Sequence, residues 1–443
     1  MLSIQKKLTN SFLSLLSFPS TAMGFALSVQ ISALSWILST QYHLEIDKIG
    51  LVWAAGPTAG ILGQVIIGLI SDNVWFWGGR RKPFIFIGGV LAALSLLALP
   101  NIGFIHEKSG VSLFVVAVIV ALTLDLSINI SFNPTRSIIA DVTTEEKRTK
   151  GYTIMQTVSG SFGVLAYAIG AVWGNINLIY IAVFLVFVMS VLPMFFIEEP
   201  RHLGAQATEN LQDETVTEYR KTDYPNFIKL FIAHFFTWLG VQTMFVYMFA
   251  YVQNRFPEFV VAASQNLSES EKTDINNQIG SIISISFLLL NLIGALLPAF
   301  ILDPLTEKIG KVKTHFLCLF IMALAYFGII YYGNISFGEV SLFGKRFVFY
   351  SVYIFMIIAG IGWAAIVSLP FAIMSQQVSP KTVGLFMGIF NLSVVLPQLV
   401  SSSYLGSVIK DAADKSIIFE ISGFSLLVSA LLWLLVKEPK VNK

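Results

Sequence analysis

Twelve runs of mostly apolar residues succeed one another along the chain, each bounded by charged or turn-forming positions, at approximately 11-39, 49-71, 83-104, 111-142, 149-173, 176-197, 226-252, 275-302, 313-333, 345-376, 382-409 and 416-436. Each has the length of about 20 residues that a helix needs to cross a bilayer. Apolar residues occupy most faces of these runs, whereas a barrel strand would alternate polar and apolar positions. The pattern predicts an all-α polytopic membrane protein of 12 transmembrane helices. No short apolar run with a small-residue cleavage site precedes the first segment, which therefore reads as a retained helix.

Composition agrees. Of 443 residues, 55% are hydrophobic and 12% charged, with a mean hydropathy of +0.75, where soluble domains carry roughly a quarter charged residues. The net charge of +2 is too small and dispersed for a nucleic-acid partner. The single cysteine, Cys318, excludes an intramolecular disulfide and a cysteine metal cluster and reads as packing. Lys and Arg set the orientation. About 19 of the 28 fall at the termini and in the even-numbered connections, so both termini are expected in the cytoplasm.

The longest connection, 198-225, is polar and mixed in charge and falls midway, which predicts a half at 1-197, a cytoplasmic linker and a half at 226-443. The halves also echo each other. Asp72 is followed by Gly79, Arg80, Arg81 and Lys82, and Asp303 by Lys308, Gly310, Lys311 and Lys313; an Asp, six residues, Gly and a basic residue recur at an offset of 231. A duplicated six-helix unit places a substrate site near the midplane, where rocking of the halves alternates access. An aspartate at a helix end, a glycine-permitted turn and a basic cluster can pair across helix ends and hold one state closed, with Asp141 as partner for Arg80 or Arg81. Simple positive-inside anchoring is the plainer reading of a lone copy, and the second copy favours gating.

Asp125 and Arg136 are the charged residues deepest in the apolar segments, both on 111-142. A charge in the hydrocarbon layer costs at least ~2.5 kcal/mol, so it marks a pathway, a proton relay or an obligatory pair. At about 100° per residue the 11-residue spacing returns to within about 20° of the same face, roughly 16 Å along the axis. Asn129 and Asn133 fall on the same side. A direct ion pair across that distance would need the helix to kink at Pro134; otherwise the stripe has room for a sugar hydroxyl or waters.

The longer motifs are Ser71–Trp75 (SDNVW), Gly79–Phe84 (GRRKPF), Asp125–Ser131 (DLSINIS), Asn133–Arg136 (NPTR) with Asp141, Phe235–Trp238 (FFTW), Gly360–Ala364 (GIGWA), Ser368–Ala372 (SLPFA), Met387–Asn391 (MGIFN) and Pro397-Gln398. Together they resemble the major facilitator superfamily, and within it the proton-coupled sucrose and maltose symporters of the glycoside-pentoside-hexuronide type, from the first helix to the eleventh. The resemblance implies that Asp125 is the proton-accepting aspartate and Arg136 a sugar-facing arginine. Burial and the field of Arg136 act in opposite senses on the ionisation of Asp125, as a proton switch requires. Gln30 lies on a stretch resembling the family's first helix; a sugar contact and interhelical hydrogen bonding both suit it. Trp238, Gln242 and Trp363 suit a stacking face and anchor, or for the aromatics an interface belt. Asn391 and Gln398 suit a site or interhelical contact equally. His234 and His315, near helix starts, are expected to be hydrated and without function.

Departures from the family's pattern are Asn133, where many bacterial relatives carry an acid, Trp77 in place of a basic residue before Gly79, and the absence of an aspartate on the seventh helix as in plant sucrose carriers. No Ser/His/Asp set, metal-ligand cluster or phosphate loop points to an enzyme. The expected function is proton-coupled symport of a disaccharide or glycoside, with no cofactor, by a monomer in a bacterial inner membrane. A sodium-coupled melibiose-type symporter would gather two or more membrane acids, and a sugar sensor would carry a cytoplasmic signalling extension.

Overall fold

Backbone N–H and C=O groups have no water to bond in a bilayer, so an apolar chain buries them in helices. The computed structural model describes residues 8–60, 70, 74–199, 222–342, 345–379 and 383–438. Among these residues ten helices are long and apolar enough to cross a membrane, and Ile417–Trp433 is a shorter apolar helix. Asp72 and most of the expected linker, 200–221, lie outside the described residues. The chain divides into two compact units, Met1–Tyr42 with Ala55–Thr217, and His43–Ala54 with Glu218–Lys443.

The first unit contains α1 (Asn10–Thr40), α3 (Lys82–Ala98), α4 (Ile102–Ser109), α5 (Leu113–Val142), α6 (Glu145–Trp173) and α7 (Asn175–Val191), α2 belonging to the second unit. Thr9 and Ser112 cap α1 and α5 by accepting from Phe12 N and Val115 N. In hydrocarbon the helices gain little by hiding apolar surface from one another, so close approach through small residues decides their packing. On α3, a Cβ at Gly88 would lie 2.7 Å from the Ser127 carbonyl oxygen and 2.1 Å from Ser131 Oγ, and one at Gly89 would lie 2.1 Å from Ser190 Cβ. That adjacent pair lets α3 touch α5 and α7 at once. At one end of the unit Phe12, Leu13, Leu16, Ile85, Ile138, Ile139, Val142 and Met194 form a buried cluster.

The second unit contains α2 (Ile46–Trp53), α8 (Tyr224–Arg255), α9 (Pro257–Ala263), α10 (Glu269–Leu297), α11 (Asp303–Ile309), α12 (Lys311–Tyr332), α13 (Ser351–Ser368), α14 (Pro370–Ser375), α15 (Val383–Val400), α16 (Gly406–Asp411) and α17 (Ile417–Trp433). A capping box of Ser268 and Glu271 starts α10. Helix α8 packs on α15 and α17, and α12 on α13 and α17. Helix α2 lies against the π-helical turn Ser401–Leu405 and α16. Gly50 on α2 sits where a Cβ would be 2.5 Å from the Ser402 carbonyl oxygen.

One expected segment changes its secondary structure at the start, while α6 and α10 begin a few residues before the expected 149 and 275. The tenth was read from 345, but strands β1 (Ser336–Leu342) and β2 (Lys345–Tyr350) pair antiparallel, with Glu339 opposite Val348 and Val340 opposite Phe347, and α13 starts only at Ser351. The aromatic and β-branched run Phe347–Tyr350 suits a strand as well as an apolar helix. The hairpin is the one departure from an all-α chain among the described residues.

Candidate functional site

Helix α5 runs unbroken through Pro134, so Asp125 and Arg136 stay three turns apart and form no ion pair. Asp125 is 8% exposed and accepts a hydrogen bond from Gln30 Nε2 of α1 at 3.0 Å. A Cβ at Gly56 would lie 3.2 Å from each of its carboxylate oxygens. The acid is thus enclosed by an amide on one side and bare backbone on another. Gln30 Oε1 is buried and has no hydrogen-bond partner among the described residues. Asn129 Nδ2 donates to the Asp125 backbone carbonyl at 2.8 Å, and Asn133 is half-buried. Arg136 is exposed; its guanidinium lies over the Phe132 ring, 4.4 Å from the centroid, and its own backbone carbonyl accepts from Tyr152 Oη at 3.2 Å. The contact supports the cation from one side without using up a hydrogen-bond acceptor.

At the end of the unit where α3 starts, Arg80 Nη2 and Arg81 Nε reach Asp141 Oδ2 at 2.9 and 3.3 Å. Both expected arginines share this one carboxylate. A second acid, not singled out in the sequence, is closer to the backbone. Glu199 accepts from Arg80 N at 2.8 Å, from Arg81 N at 2.9 and 3.0 Å and from Lys82 N at 2.7 Å, satisfying the open N–H groups at the start of α3. Glu438 Oε1 does the same for Lys311 N at 2.7 Å at the start of α12. The signal was present: Glu-Pro recurs at 199-200 and 438-439.

These caps revise the role of the repeated glycine. In the 76–79 turn Phe76 and Gly79 exchange both N–H···O bonds at 3.1 Å, and the two positive φ values belong to Trp77 (49°) and Gly78 (74°). Gly79 is needed for space, because a Cβ would lie 2.5 Å from Glu199 Oε1. Gly310 needs both, with φ of 89° and Glu438 Oε2 2.2 Å from a Cβ position. Trp77 therefore occupies a left-handed position ordinarily left to Gly or Asn, and its indole is 69% exposed. Lys308 is exposed, and the Asp303 side chain lies outside the described residues.

The second unit groups most of the remaining candidates. Trp238 and Trp363 are half-buried and meet edge to face, ring centroids 6.2 Å apart. Gln398 Nε2 donates to Gln242 Oε1 at 3.3 Å, while Asn391 stands half-buried. Two residues missed in the sequence complete the group. Trp238 Nε1 donates to His234 Nε2 at 3.1 Å, and Trp363 Nε1 to Asn291 Oδ1 at 3.1 Å. His234 precedes Trp238 by one helical turn, which puts the two on one face. The expectation of hydrated histidines is wrong. His234 is 1% exposed and stacks on Phe390 at 4.8 Å, and His315 is fully buried against Trp433, ring centroids 4.2 Å apart. Aromatic neighbours from α14, α15 and α17 cover helix starts that the chain order alone leaves open.

Comparison with known proteins places these features in context. The Major Facilitator Superfamily profile matches residues 16–264. The General alpha-glucoside permease of Schizosaccharomyces pombe is 28% identical over 173 residues, 35% of this chain and 31% of that protein, so the match spans under a third of that relative. The Sucrose transport protein SUC4 of Arabidopsis thaliana is 23% identical over 440 residues, covering 88% of this chain and 82% of the relative. Among solved structures, the nucleoside transporter NupG (D323A mutant) aligns with a TM-score of 0.68 at 14% identity, covering 96% of this chain and 99% of that one. The inward-open xylose transporter XylE from E. coli aligns at 0.64 and 14% identity, covering 98% and 97%.

Proposed function

The chain belongs to the major facilitator superfamily, and we propose that it is a secondary active transporter carrying a disaccharide or glycoside of the maltose or sucrose class together with a proton. The observation that carries this reading is Asp125, a buried acid in a membrane-spanning helix whose side-chain partner is the neutral amide of Gln30 and not a cation. Its relatives named for sucrose and α-glucosides supply the substrate class. The proposed setting is a bacterial inner membrane, with both termini in the cytoplasm and a monomer as the working unit.

The chemistry follows from Gln30. An ionised Asp125 accepts from the amide N–H; a protonated Asp125 donates its O–H to Gln30 Oε1 after the amide turns over, and that oxygen is otherwise unpartnered among the described residues. Either protonation state therefore keeps the Asp125 carboxyl hydrogen-bonded, which lets the acid trade its proton without being stranded itself. Arg136, which is exposed, is the proposed anchor for sugar hydroxyls; Asn129, Asn133 and Gln30 add neutral contacts, and Trp238, Gln242, Trp363, Asn391 and Gln398 are the proposed contacts from the second unit. Arg80 and Arg81 on Asp141 constitute the proposed gate, with Gly79 and the second copy at Asp303, Lys308, Gly310 and Lys311 in corresponding places.

Uptake into proteoliposomes, with a sugar panel and imposed proton or sodium gradients, tests the assignment. Asp125→Asn keeps the size and the amide contact and removes the exchangeable proton. It should abolish accumulation against a gradient while sugar exchange continues. Concentrative uptake by that variant with an unaltered pH response would refute the proton role, and sodium dependence in the unaltered protein would favour melibiose-type coupling.

A further inference from the structure

In the second unit, Trp238 and Trp363 have each spent the indole N–H group on a protein acceptor. Trp238 Nε1 is held by His234 Nε2 and Trp363 Nε1 by Asn291 Oδ1, each at 3.1 Å. His234 is itself fixed on three sides, stacked on Phe390 at an interplanar angle of 12° and edge-on to Phe371 and Trp238. Asn291 is fixed by donating from Nδ2 to the Phe287 carbonyl at 2.9 Å. Gly294, one turn beyond Asn291, leaves room for the Trp363 ring, since a Cβ there would lie 2.6 Å from its Cδ1. The two indoles stand at 78° to one another.

We propose that His234 and Asn291 are positioning residues that lock Trp238 and Trp363 into a two-walled aromatic corner for the C–H face of a pyranose ring, a proposal that rests on the sugar-transport reading above. With their N–H groups engaged, the indoles offer ring faces and edges and no hydrogen-bond donor. Such a corner discriminates by the shape and apolar face of the sugar, and leaves hydroxyl recognition to other side chains. The hydrogen bond also fixes the His234 tautomer: as an acceptor at Nε2, the neutral ring carries its proton on Nδ1, which is buried and unpartnered among the described residues. A histidine retained despite that orphaned group is explained by what Nε2 does for Trp238.

The test is uptake of maltose and of sucrose by the full chain in proteoliposomes, read as separate KM and Vmax. His234→Leu removes the acceptor and should raise KM roughly tenfold, with Vmax within about twofold, since a loosened wall weakens binding uniformly. His234→Gln, whose side-chain oxygen reaches the Nε2 position, should restore KM to within about threefold. Trp238→Phe keeps a ring and removes the donor; on that background His234→Leu should add less than about twofold, the non-additivity expected of a coupled pair. Asn291→Leu should raise KM in the same way through Trp363. An unchanged KM in His234→Leu, a His234→Gln variant as impaired as His234→Leu, or full additivity with Trp238→Phe would overturn the proposal. Should His234→Leu fail to fold, the His234→Gln and Asn291→Leu results decide. If the unaltered protein takes up neither sugar, the transport reading itself falls, a result distinct from sugar uptake that ignores His234.

Discussion

Removing the Glu199 carboxylate should loosen the start of α3 more than removing Glu438 loosens the start of α12. A helix begins with four N–H groups that have no partner within it. Glu199 takes two of them, on Arg81 and Lys82, together with the N–H of Arg80 just before the helix, whereas Glu438 takes that of Lys311. Loss of one side-chain cap bond costs about 1 kcal/mol. At the half-buried Glu199, water recovers part of three such bonds, and the lost charge at the helix N-terminus adds up to about 1 kcal/mol, so Glu199→Ala should cost roughly 3 kcal/mol and Glu438→Ala roughly 1 kcal/mol. For a folding unit of some 200 residues this corresponds to a fall in Tm of about 6–12 °C for the first and about 2–4 °C for the second. Glu199→Gln, with one acceptor oxygen left, should lie between. Gly79→Ala should imitate Glu199→Ala, because its methyl would occupy the carboxylate's place, 2.5 Å from Oε1. Thermal unfolding of the purified protein in detergent gives the ranking, and hydrogen exchange at the amides of residues 80–82 locates it. Unchanged protection of those amides in Glu199→Ala, or a larger loss for Glu438→Ala, would refute the capping argument.

Gly88→Ala should destabilise the first unit by about 1–3 kcal/mol, because the new methyl meets the Ser127 backbone carbonyl, which cannot rotate away; a melting temperature equal to that of the unaltered protein would contradict this. On the second unit, Lys410 bonds Glu45 and approaches Asp47 at 3.4 Å, tying the start of α2 to α16. The Lys410 side chain holds the Glu45 carboxyl below the usual range, so this contribution is present above the ordinary carboxylate pKa of about 4.3 and is lost as pH falls through the lowered value. Hydrogen-exchange protection over residues 46–53, taken relative to the intrinsic rate at each pH, should therefore fall on acidification below about pH 4, and Lys410→Met should give the same loss at pH 7. Protection independent of pH and of Lys410 would rule the tie out.

Much of this protein can be read in one dimension because a bilayer imposes a one-dimensional constraint. A run of apolar residues long enough to span it becomes a helix whatever its neighbours, so the helices, and Asp125 and Arg136 as charges out of place within one of them, were legible from length and polarity alone. The ambiguous run at 345–350 shows the limit: aromatic and β-branched residues suit a strand once β1 is beside them. Paired recognition was not legible for the same reason. Gln30 lies 95 residues from Asp125 and Glu199 119 residues from Arg80, and although the recurring Glu-Pro marks Glu199 and the first-helix stretch marks Gln30, nothing local names the partner of either. His234 looked hydrated because its cover comes from α14 and α15. Chain order sets which groups exist and at what depth, whereas tertiary packing, with close approaches such as Glu199 at Gly79 and Trp363 at Gly294, decided which of them meet.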